Sequence, residues 1–505
     1  MRRFCAAAGV ALIVMAAGCG TDDSGEAPAR VLRVGVQSLP PGQGNPFTGI
    51  GSPGVYAWSP MFDALTLIDA NGRPAPALAL RWASVDPTTW TFTLRPAVTF
   101  SNGEAFDAAA VVATFDYLHS TAGKATVVGQ ELAALTAATA VSATEVRFTT
   151  AKPDPILPNR VASMPVVAPR AWATLGAKGF AAKPVGTGSY KLEQWSPGKA
   201  VYTAYDGSWR KPKIPRLEIT EIGDPAARVQ ALESGQLELA LVLAPDQLRR
   251  IRAAQATAQV NPAPQVMSLA FVTTKGKTPL ADQRVRQALN YAVDKQSIVD
   301  NVLAGLAKPA SQGATPAAFG YAKGVTPYPY QPETAKRLLA EAGYGNGFAL
   351  AAEIVVGAFP ADAEIYQAMA ADLAKVGVRV TLRQVTFAAW LDKFTKGSWD
   401  TPAFGLSWNT APTLDASRPY AIFSCTKKPA FFCDQAALPL QAEASTEFDA
   451  DKRAVILSEL GAVVHDNPPS LLLVEQIDLN ATAKNVNGYR NDNRVIDYHE
   501  MTVGA

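Results

Sequence analysis

The chain has 505 residues, of which 48% are hydrophobic and 18% charged, and its formal net charge is +2. This length predicts two or three domains with large cores, and the composition is that of a globular protein rather than a disordered one. The small net charge and the lack of a basic run with interleaved aromatic residues give no reason to expect a nucleic-acid partner.

The first segment of the chain has the pattern of an export signal. Met1, Arg2 and Arg3 precede an apolar run over residues 4–17. This run is shorter than the roughly 20 residues that a membrane-spanning helix needs. Residues 1–18 are therefore interpreted as a signal peptide that is removed on export.

The end of this segment, Ala16-Ala17-Gly18-Cys19, resembles the cleavage box of bacterial lipoproteins. The resemblance implies that Cys19 is lipidated and becomes the new N-terminus, whereas plain secretion with an incidental cysteine is the alternative. Residues 19–30 are small and polar and are predicted to form a flexible tether. We expect a soluble body outside the cytoplasm, anchored by lipid to the outer face of the cell membrane.

Two cysteines remain for the body of the protein. Cys5 leaves with the signal and Cys19 takes the lipid, so Cys425 and Cys433 are left, eight positions apart. An exported protein meets an oxidising compartment, and the pair is predicted to form a disulfide. A metal site is the alternative, but no nearby His or Cys completes one, and no metal or other cofactor is expected.

Residues 90–148 have the pattern of an open α+β region. The segment 90–100, "WTFTLRPAVTF", alternates apolar and polar residues and predicts a half-buried antiparallel hairpin. Asp107 is positioned to cap a helix whose apolar residues recur at helical spacing up to Leu118. A further short strand is predicted at 145–148.

Two later regions have the pattern of βαβ units. In the first, a strand at 216–222 precedes Asp224 and Pro225, which suit a helix start, and a strand at 237–243 follows the glycine stop at Gly235. In the second unit, the strand, helix and strand are at 349–356, 362–376 and 378–385. Each unit predicts a parallel pair of strands, and the separation of the units predicts two α/β lobes.

Motifs for catalysis are missing from the sequence. There is no Walker loop, no GxGxxG and no HExxH, and the three histidines are not clustered. His465 and Asp466 are adjacent, but they fall at a predicted helix end, where a histidine favours the helix dipole. No catalytic residue is assigned and an enzyme is not predicted.

Five segments in order resemble the family 5 solute-binding proteins of ABC importers, the peptide- and nickel-type periplasmic receptors. The clearest is "PVGTGSYKLEQWSPGKAV" at 184–201, which is similar to the family's "PVGTGPYkl" with Ser189 in place of Pro. The others are at 65–118, at 231–241, where Glu238 replaces the usual Asp, and at 279–310 and 330–344.

The resemblance implies an α/β, two-lobed periplasmic-binding-protein-like fold (type II, cluster C) with an inserted α+β domain. Lobe I is expected to be discontinuous and the chain to cross between the lobes twice, which makes a two-strand hinge. The expected boundaries are 31–54, 182–266 and 474–505 for lobe I, 55–181 for the insert, and 267–473 for lobe II.

The resemblance also implies a function. An exported lipoprotein would capture a peptide or peptide-like solute between the lobes and deliver it, as a monomer, to the permease and ATPase subunits of an ABC importer. The alternatives are a receptor for a non-peptide solute, such as a sugar conjugate, a metal chelate or a lipid-like molecule, and a hydrolase or chaperone-like role on the same scaffold.

In peptide receptors of this family, an acid in a motif like "G-W-x-A-D" of lobe II meets the peptide ammonium. The matching stretch here is "GLSWNTAPTLD" at 405–415, in which either Asn409 or Ala411 takes the acid position. Both alignments lose the carboxylate, and a buried ammonium without a counter-charge costs several kcal/mol. The predicted ligand contacts are Gln37 and Ser38 on lobe I and Trp390, Leu406, Ser407, Trp408 and Asn409 on lobe II.

Overall fold

The computed structural model describes residues 30–504. The predicted signal peptide, Cys19 and all but the last residue of the predicted tether lie outside the described residues. Within 30–504, no helix has both the length and the apolar character needed to cross a membrane.

The strands of the described chain are numbered in chain order. They are β1 Val31–Val36, β2 Thr66–Ile68, β3 Pro74–Pro76, β4 Ala79–Asp86, β5 Thr89–Leu94, β6 Leu135–Ser142, β7 Glu145–Thr150, β8 Tyr190–Ser196, β9 Lys199–Ala204, β10 Arg216–Glu221, β11 Leu239–Leu243, β12 Thr257–Phe271, β13 Lys308–Pro309, β14 Phe348–Ile354, β15 Val378–Gln384, β16 Ala403–Gly405, β17 Trp408–Asn409, β18 Ser470–Thr482, β19 Val486–Asn487, β20 Asn491–Asp492, β21 Val495–Ile496 and β22 Thr502–Val503.

The α-helices are numbered in the same way. They are α1 Gly54–Trp58, α2 Ala108–His119, α3 Thr121–Lys124, α4 Val127–Glu131, α5 Leu157–Arg160, α6 Pro169–Ala182, α7 Pro225–Glu233, α8 Leu248–Ala253, α9 Gln283–Tyr291, α10 Lys295–Val302, α11 Pro332–Glu341, α12 Asp362–Lys375, α13 Phe387–Lys396, α14 Ser417–Ile422, α15 Leu438–Ala444 and α16 Ala450–Asp466. Short 3-10 helices lie at Pro46–Thr48, Val161–Ser163, Pro245–Gln247, Pro279–Ala281 and Tyr498–Glu500.

One large sheet runs through both lobes. Its strand order is β15-β14-β16-β12-β18-β11-β1-β10-β9-β8, with β13 on β18 and β17 on β12. The long antiparallel strands β12 and β18 stand between the lobe I strands, β1 and β8–β11, and the lobe II strands, β14–β16. Their register shifts between Pro262 and Ser268, which places an irregular pairing where the sheet passes from one lobe to the other.

The inserted domain has its own four-stranded antiparallel sheet, in the order β4-β5-β7-β6. The predicted hairpin within 90–100 is wrong, because β5 ends at Leu94 and pairs with β4 and β7, which come from outside that segment. The helix start at Asp107 is confirmed, since its carboxylate accepts a hydrogen bond from the backbone N–H of Ala110. The alternation in 89–94 marks a strand, but it does not identify the partners of that strand.

The two βαβ units form with one difference from the expectation. In the second unit, β14 and β15 pair in parallel around α12, as predicted. In the first unit, β10 and β11 do not pair with each other, because β1 lies between them and pairs in parallel with both. The remote strand β1 takes the central place, and the local pattern of 216–243 carries no information about it.

The insert and lobe I share one hydrophobic core. Phe92, Phe115 and Phe148 of the insert belong to the same buried cluster as Val34 and Leu217 of lobe I. Lobe II has separate cores, one around α9, α10 and α12 and another around Trp408, Tyr420 and Leu457. The insert therefore packs as part of lobe I.

The predicted disulfide is present and lies in lobe II. Cys425 and Cys433 are bonded, with their Cα atoms 4.4 Å apart. The bond closes the short loop that follows α14, beside Phe423 and Phe431 of the lobe II core.

Lys295, at the start of α10, is the most deeply buried lysine of the described chain, with 3% of its surface exposed. Its Nζ donates one hydrogen bond, to the backbone oxygen of Asn290 at 3.2 Å, and lies 5.4 Å from the ring centroid of Tyr328. Burial lowers the pKa of Lys295 to about 7. The folded state thus disfavours the protonated form of Lys295, whereas in the unfolded chain the lysine stays protonated up to its ordinary pKa.

Lys295→Met is expected to raise the free energy of unfolding by about 2 kcal/mol at pH 7, because a buried amine is replaced by an apolar chain of similar length. Between pH 7 and about 10.5 the unfolded lysine binds the proton that the folded one releases, so wild-type stability rises with pH over this window. The difference in free energy of unfolding between Lys295→Met and wild type is therefore expected to become smaller towards pH 10. Urea unfolding of wild type and variant at pH 7 and pH 10 checks this, with the half-exposed Lys336→Met as control. A stability difference between Lys295→Met and wild type that is the same at both pH values would contradict the account.

Candidate ligand-binding cleft

Two cavities border the C-terminal segment 490–497 where the lobes and the insert meet. The one that contacts the strands β12 and β18 is called the hinge cavity, and the one lined mainly by lobe I and the insert is called the insert cavity. Each has a volume of about 240 Å³. Both lie between parts of the chain that belong to different lobes, which is the expected position of a ligand in a two-lobed protein.

The hinge cavity is lined mostly by apolar side chains. Gln37 follows the carboxyl end of β1 and Val242 lies near the end of β11, so lobe I contributes the edge where ligands bind in open α/β sheets. Lobe II faces them with the loop after β14. The lining residues are Gln37, Ser52, Val242, Pro245, Met267, Leu303, Ala358, Phe359, Pro360, Ile365, Val474, Gln476, Ile477, Asp478 and Arg494.

The insert cavity joins three parts of the chain. Trp58 and Phe62 line it from the start of the insert, Trp209 lines it from lobe I, and Ala162 lines it from the 3-10 helix that follows α5. Lobe II contributes Ala411 and Pro412, directly after the predicted ligand strand. The stretch at 405–415 therefore reaches a cavity, but through its turn rather than its strand.

The charged side chains of the hinge cavity form one ion pair. Arg494 donates two hydrogen bonds to Asp478, from Nε to Oδ2 at 2.6 Å and from Nη2 to Oδ1 at 2.9 Å. Burial lowers the pKa of Arg494, but the charge and hydrogen bonds of Asp478 outweigh it and leave that pKa above its ordinary value. Each group thus has the other as its partner of opposite charge.

The charged side chains of the insert cavity are also paired within the protein. Asp63 accepts hydrogen bonds from Thr187 Oγ1 at 2.8 Å and Trp209 Nε1 at 2.9 Å, and it contacts the guanidinium of Arg210. Arg490 donates from Nε to Asp492 at 3.0 Å and from Nη2 to Asp497 at 2.6 Å. Every charged side chain that lines either cavity has an opposite charge as its neighbour.

Gln476 is a neutral polar residue in the wall of the hinge cavity, and its side chain has no hydrogen-bond partner within residues 30–504. It lies on β18, is 8% exposed, and neither its Oε1 nor its Nε2 hydrogen-bonds to another protein group. An unpaired buried amide is costly, on the order of 1–3 kcal/mol for each group left unsatisfied. Such a group in a cavity wall points to a partner from outside the protein.

Gln37 is the predicted ligand contact that the structure places on an interlobe cavity. Ser38 follows it, half-exposed, outside the lining of both cavities. Trp408 differs from the expectation: it is 1% exposed, its ring stacks on Phe423 at 3.7 Å, and its Nε1 donates to Ser470 Oγ at 2.9 Å. Because the indole is enclosed by the lobe II core, Trp408 packs inside that core and does not face either cavity.

The remaining lobe II residues of the predicted site lie outside both cavity linings. Trp390 on α13 donates from Nε1 to the backbone oxygen of Gly405 at 2.9 Å. Leu406 and Ser407 are half-buried, and Leu406 pairs with Ser268 through the backbone. The side-chain oxygen of Asn409 accepts from the N–H of Ala411 at 2.9 Å and so fixes the turn into the insert cavity.

Residues 73–430 match the family described as bacterial extracellular solute-binding proteins, family 5. The chain belongs to this family. The match covers most of the chain and runs from the insert through lobe I into lobe II.

Three curated relatives show the range of ligands among similar proteins. The Di/tripeptide-binding protein 2 of Pseudomonas aeruginosa is 29% identical over 61% of this chain and 59% of its own length. The glutathione-binding protein GsiB of Salmonella paratyphi A is 31% identical over 52% of each. The heme-binding protein A of Haemophilus influenzae is 27% identical over 61% of this chain and 57% of its own length. The chain thus spans between about half and three fifths of the length of each of these relatives.

Solved structures confirm the two-lobed fold. HbpA2 from Haemophilus parasuis superposes with a TM-score of 0.82 at 23% identity, over 94% of this chain and 100% of that one. DppA from Helicobacter pylori in complex with the peptide STSA gives a TM-score of 0.76 at 20% identity, over 94% and 98% of the chains. The predicted α/β fold of a two-lobed periplasmic binding protein is therefore correct.

The residues that sequence reasoning missed in this family 5 chain lie near its C-terminus. Gln476, Asp478 and Asn480 are polar and buried on alternate positions of strand β18. Polar residues at alternate positions of a buried strand share one face, and this was the available signal. Among residues 30–504, no group of three or more His, Cys, Asp and Glu side chains is arranged to hold a metal ion.

Proposed function

We propose that this chain captures a peptide or peptide-like solute between its lobes and delivers it to an ABC importer. The observation that carries the proposal is the pair of cavities between lobe I and lobe II in a chain of the extracellular solute-binding family. Closure of the lobes would bury the solute, and the closed form would be the one that the permease recognises.

The proposal includes a division into lobes. Lobe I would comprise 31–54, 182–266 and 474–505, the insert 55–181, and lobe II 267–473. Two features support these boundaries: β12 and β18 change register near their middle, and the cores of the two lobes are separate. The hinge would then lie in the middle of both strands.

A buried contact joins the insert to lobe II. Asn159 Nδ2 donates to the backbone oxygen of Gly72 in the insert at 2.9 Å and to that of Thr413 in lobe II at 2.8 Å. Asn159 is 6% exposed. If lobe II swings away from lobe I and the insert on opening, the bond to Thr413 is made in the closed form alone, and it contributes to closure.

Asn159→Ala is expected to weaken solute binding about 5- to 150-fold, because the closed form loses a buried hydrogen bond worth about 1–3 kcal/mol. Isothermal titration calorimetry with any bound solute measures this. Asn301→Ala is the control, since this residue is exposed and its Nδ2 bonds only to Ser297 within α10. An unchanged affinity in Asn159→Ala would mean that the contact does not differ between the open and closed forms.

We also propose that the protein is a lipoprotein anchored through Cys19 to the outer face of the membrane and that it acts as a monomer. The support is the sequence Ala16-Ala17-Gly18-Cys19, which follows a short apolar run. Cys19→Ala should release the protein from the membrane fraction of the producing cells. A wild-type protein that lacks a lipid mass on its N-terminal peptide would contradict this part of the proposal.

The receptor function is tested by native mass spectrometry and thermal shift on the purified mature protein. Peptides, sugar conjugates, amino-acid conjugates and lipopeptides form the panel, together with any solute that co-purifies. A receptor is expected to bind at least one class and to gain melting temperature from it. A protein that carries no solute and gains no stability from any class would contradict the proposal.

A further inference from the structure

We propose that the solute of the hinge cavity is uncharged and presents a cis amide or a primary amide to Gln476. This inference rests on the proposed receptor function and specifies the chemical class of its ligand. Cyclic dipeptides and N-acylated peptide amides belong to this class, whereas ordinary linear peptides with free ends do not.

The charges of the hinge cavity support an uncharged ligand. Among residues 30–504, the charged residues that line it are Asp478 and Arg494, and these satisfy each other with two hydrogen bonds. A ligand ammonium would have to compete with Arg494 for Asp478, and a ligand carboxylate would have to compete with Asp478 for Arg494. Neither would find a free counter-charge in the lining of the cavity, which disfavours a charged end on the ligand.

The second cavity does not offer a free charge either. Arg210 is matched by Asp63, and Arg490 is matched by Asp492 and Asp497. Asn409, at the position of the family's acid, uses its side-chain oxygen on the N–H of Ala411. The ionic side chains of the insert cavity are thus already paired with each other, and a solute that extends into it from the hinge cavity finds no free charge there.

Apolar side chains outnumber polar ones in the lining of the hinge cavity, while polar and apolar atoms share its exposed wall about equally. Ten of the lining residues of the hinge cavity carry apolar side chains: Val242, Pro245, Met267, Leu303, Ala358, Phe359, Pro360, Ile365, Val474 and Ile477. Such a lining favours aliphatic or aromatic side chains on the solute, and its few polar groups fix the orientation.

Gln476 supplies the polar recognition. Its carbonyl oxygen is an acceptor and its NH₂ a donor, and both lack a partner. A cis amide presents its N–H and C=O on the same edge, so it can pair with both atoms of one carboxamide at once. A trans peptide bond presents them on opposite edges and can satisfy only one of the two.

A matched series of leucine compounds tests the inference on the full mature protein. The probes are cyclo(Leu-Leu), N-acetyl-Leu-Leu-amide and free Leu-Leu, which share side chains and differ in charge and amide geometry. Calorimetry is expected to show cyclo(Leu-Leu) bound at least tenfold more tightly than Leu-Leu, with N-acetyl-Leu-Leu-amide between them. Tighter binding of free Leu-Leu than of both neutral probes would overturn the inference.

Gln476→Met tests the assigned residue, because it keeps the length of the side chain and removes the amide. The variant is expected to fold with an unchanged or higher melting temperature, since it loses an unpaired buried group, and to lose at least tenfold in affinity for cyclo(Leu-Leu). The exposed Gln296→Met is the matched control. Unchanged affinity in a folded Gln476→Met protein would also overturn the assignment.

Failure of this inference can be told apart from failure of the receptor function. If the neutral leucine probes do not bind but a charged solute from the broad panel does, the ligand class is wrong and the receptor function stands. If no solute of any class binds and none co-purifies, both are contradicted. Binding of cyclo(Leu-Leu) that depends on Gln476 supports both.

Discussion

Asp415→Ala is expected to lower the free energy of unfolding by about 3–5 kcal/mol, because it leaves a buried guanidinium without its counter-charge. Arg453 donates from Nη1 to Asp415 Oδ2 at 2.6 Å and from Nη2 to Oδ1 at 2.9 Å. The two side chains are 5% and 1% exposed, respectively. Asp415 closes the stretch 405–415 and thereby ties the turn beside the insert cavity to α16 of lobe II.

Urea unfolding measures the effect, and two further variants define its cause. Asp451→Ala removes one partner of an exposed pair, with Arg73 at 3.7 Å, and is expected to cost less than about 1 kcal/mol. The double variant Asp415→Leu with Arg453→Met should recover much of the loss, since it leaves no unpaired charge. If Asp415→Ala is as stable as Asp451→Ala, the pair at Asp415 is not the buried interaction described here.

Trp408→Ala is expected to lower the free energy of unfolding by about 3–5 kcal/mol, as for other large aromatic side chains removed from a core. The indole stacks on Phe423, meets Tyr420 edge-on at 5.8 Å, and leaves no room for a Cβ at Gly313. The buried hydrogen bond from its Nε1 to Ser470 is lost as well. Collapse into the space is limited because aromatic rings surround it.

A milder substitution separates a core role from a ligand role. Trp408→Phe should cost about 1–2 kcal/mol in stability and leave the affinity for a bound solute within about twofold. The half-exposed Trp195→Ala on β8 is the control for loss of an indole elsewhere, and a smaller effect is expected there. If Trp408→Phe has normal stability but binds the solute tenfold more weakly, Trp408 contacts the ligand and the core role assigned here is wrong.

Local sequence patterns predicted the elements well and their partners poorly. Asp224 and Pro225 mark the start of α7 because capping is a property of neighbouring residues. By contrast, β1 enters between β10 and β11 from about 180 residues away in sequence, and only long-range pairing decides this. The family resemblance supplied the two-lobed arrangement, which periodicity alone could not.

In the candidate site, too, features set by the local chain path are predictable from the sequence, whereas features set by distant residues are not. Gln37 was expected at the cleft because it follows the carboxyl end of β1, a place defined by the chain path, and the structure puts it in the lining of the hinge cavity. Trp408 was expected there from its position in the motif, but alternation decides which face a residue takes, and Trp408 faces the core. Gln476 was missed because burial without a partner depends on all the groups around it.

If the lobes close around a solute, the distance across the cleft shortens when the solute binds. Spin labels at Asp246→Cys on lobe I and Ala388→Cys on lobe II occupy exposed positions, and Asp246→Cys with Lys191→Cys serves as a control within lobe I. Double electron–electron resonance should show the interlobe distance shortening by several ångströms with a bound solute, while the control distance stays constant. An interlobe distance that a bound solute leaves unchanged would contradict the account.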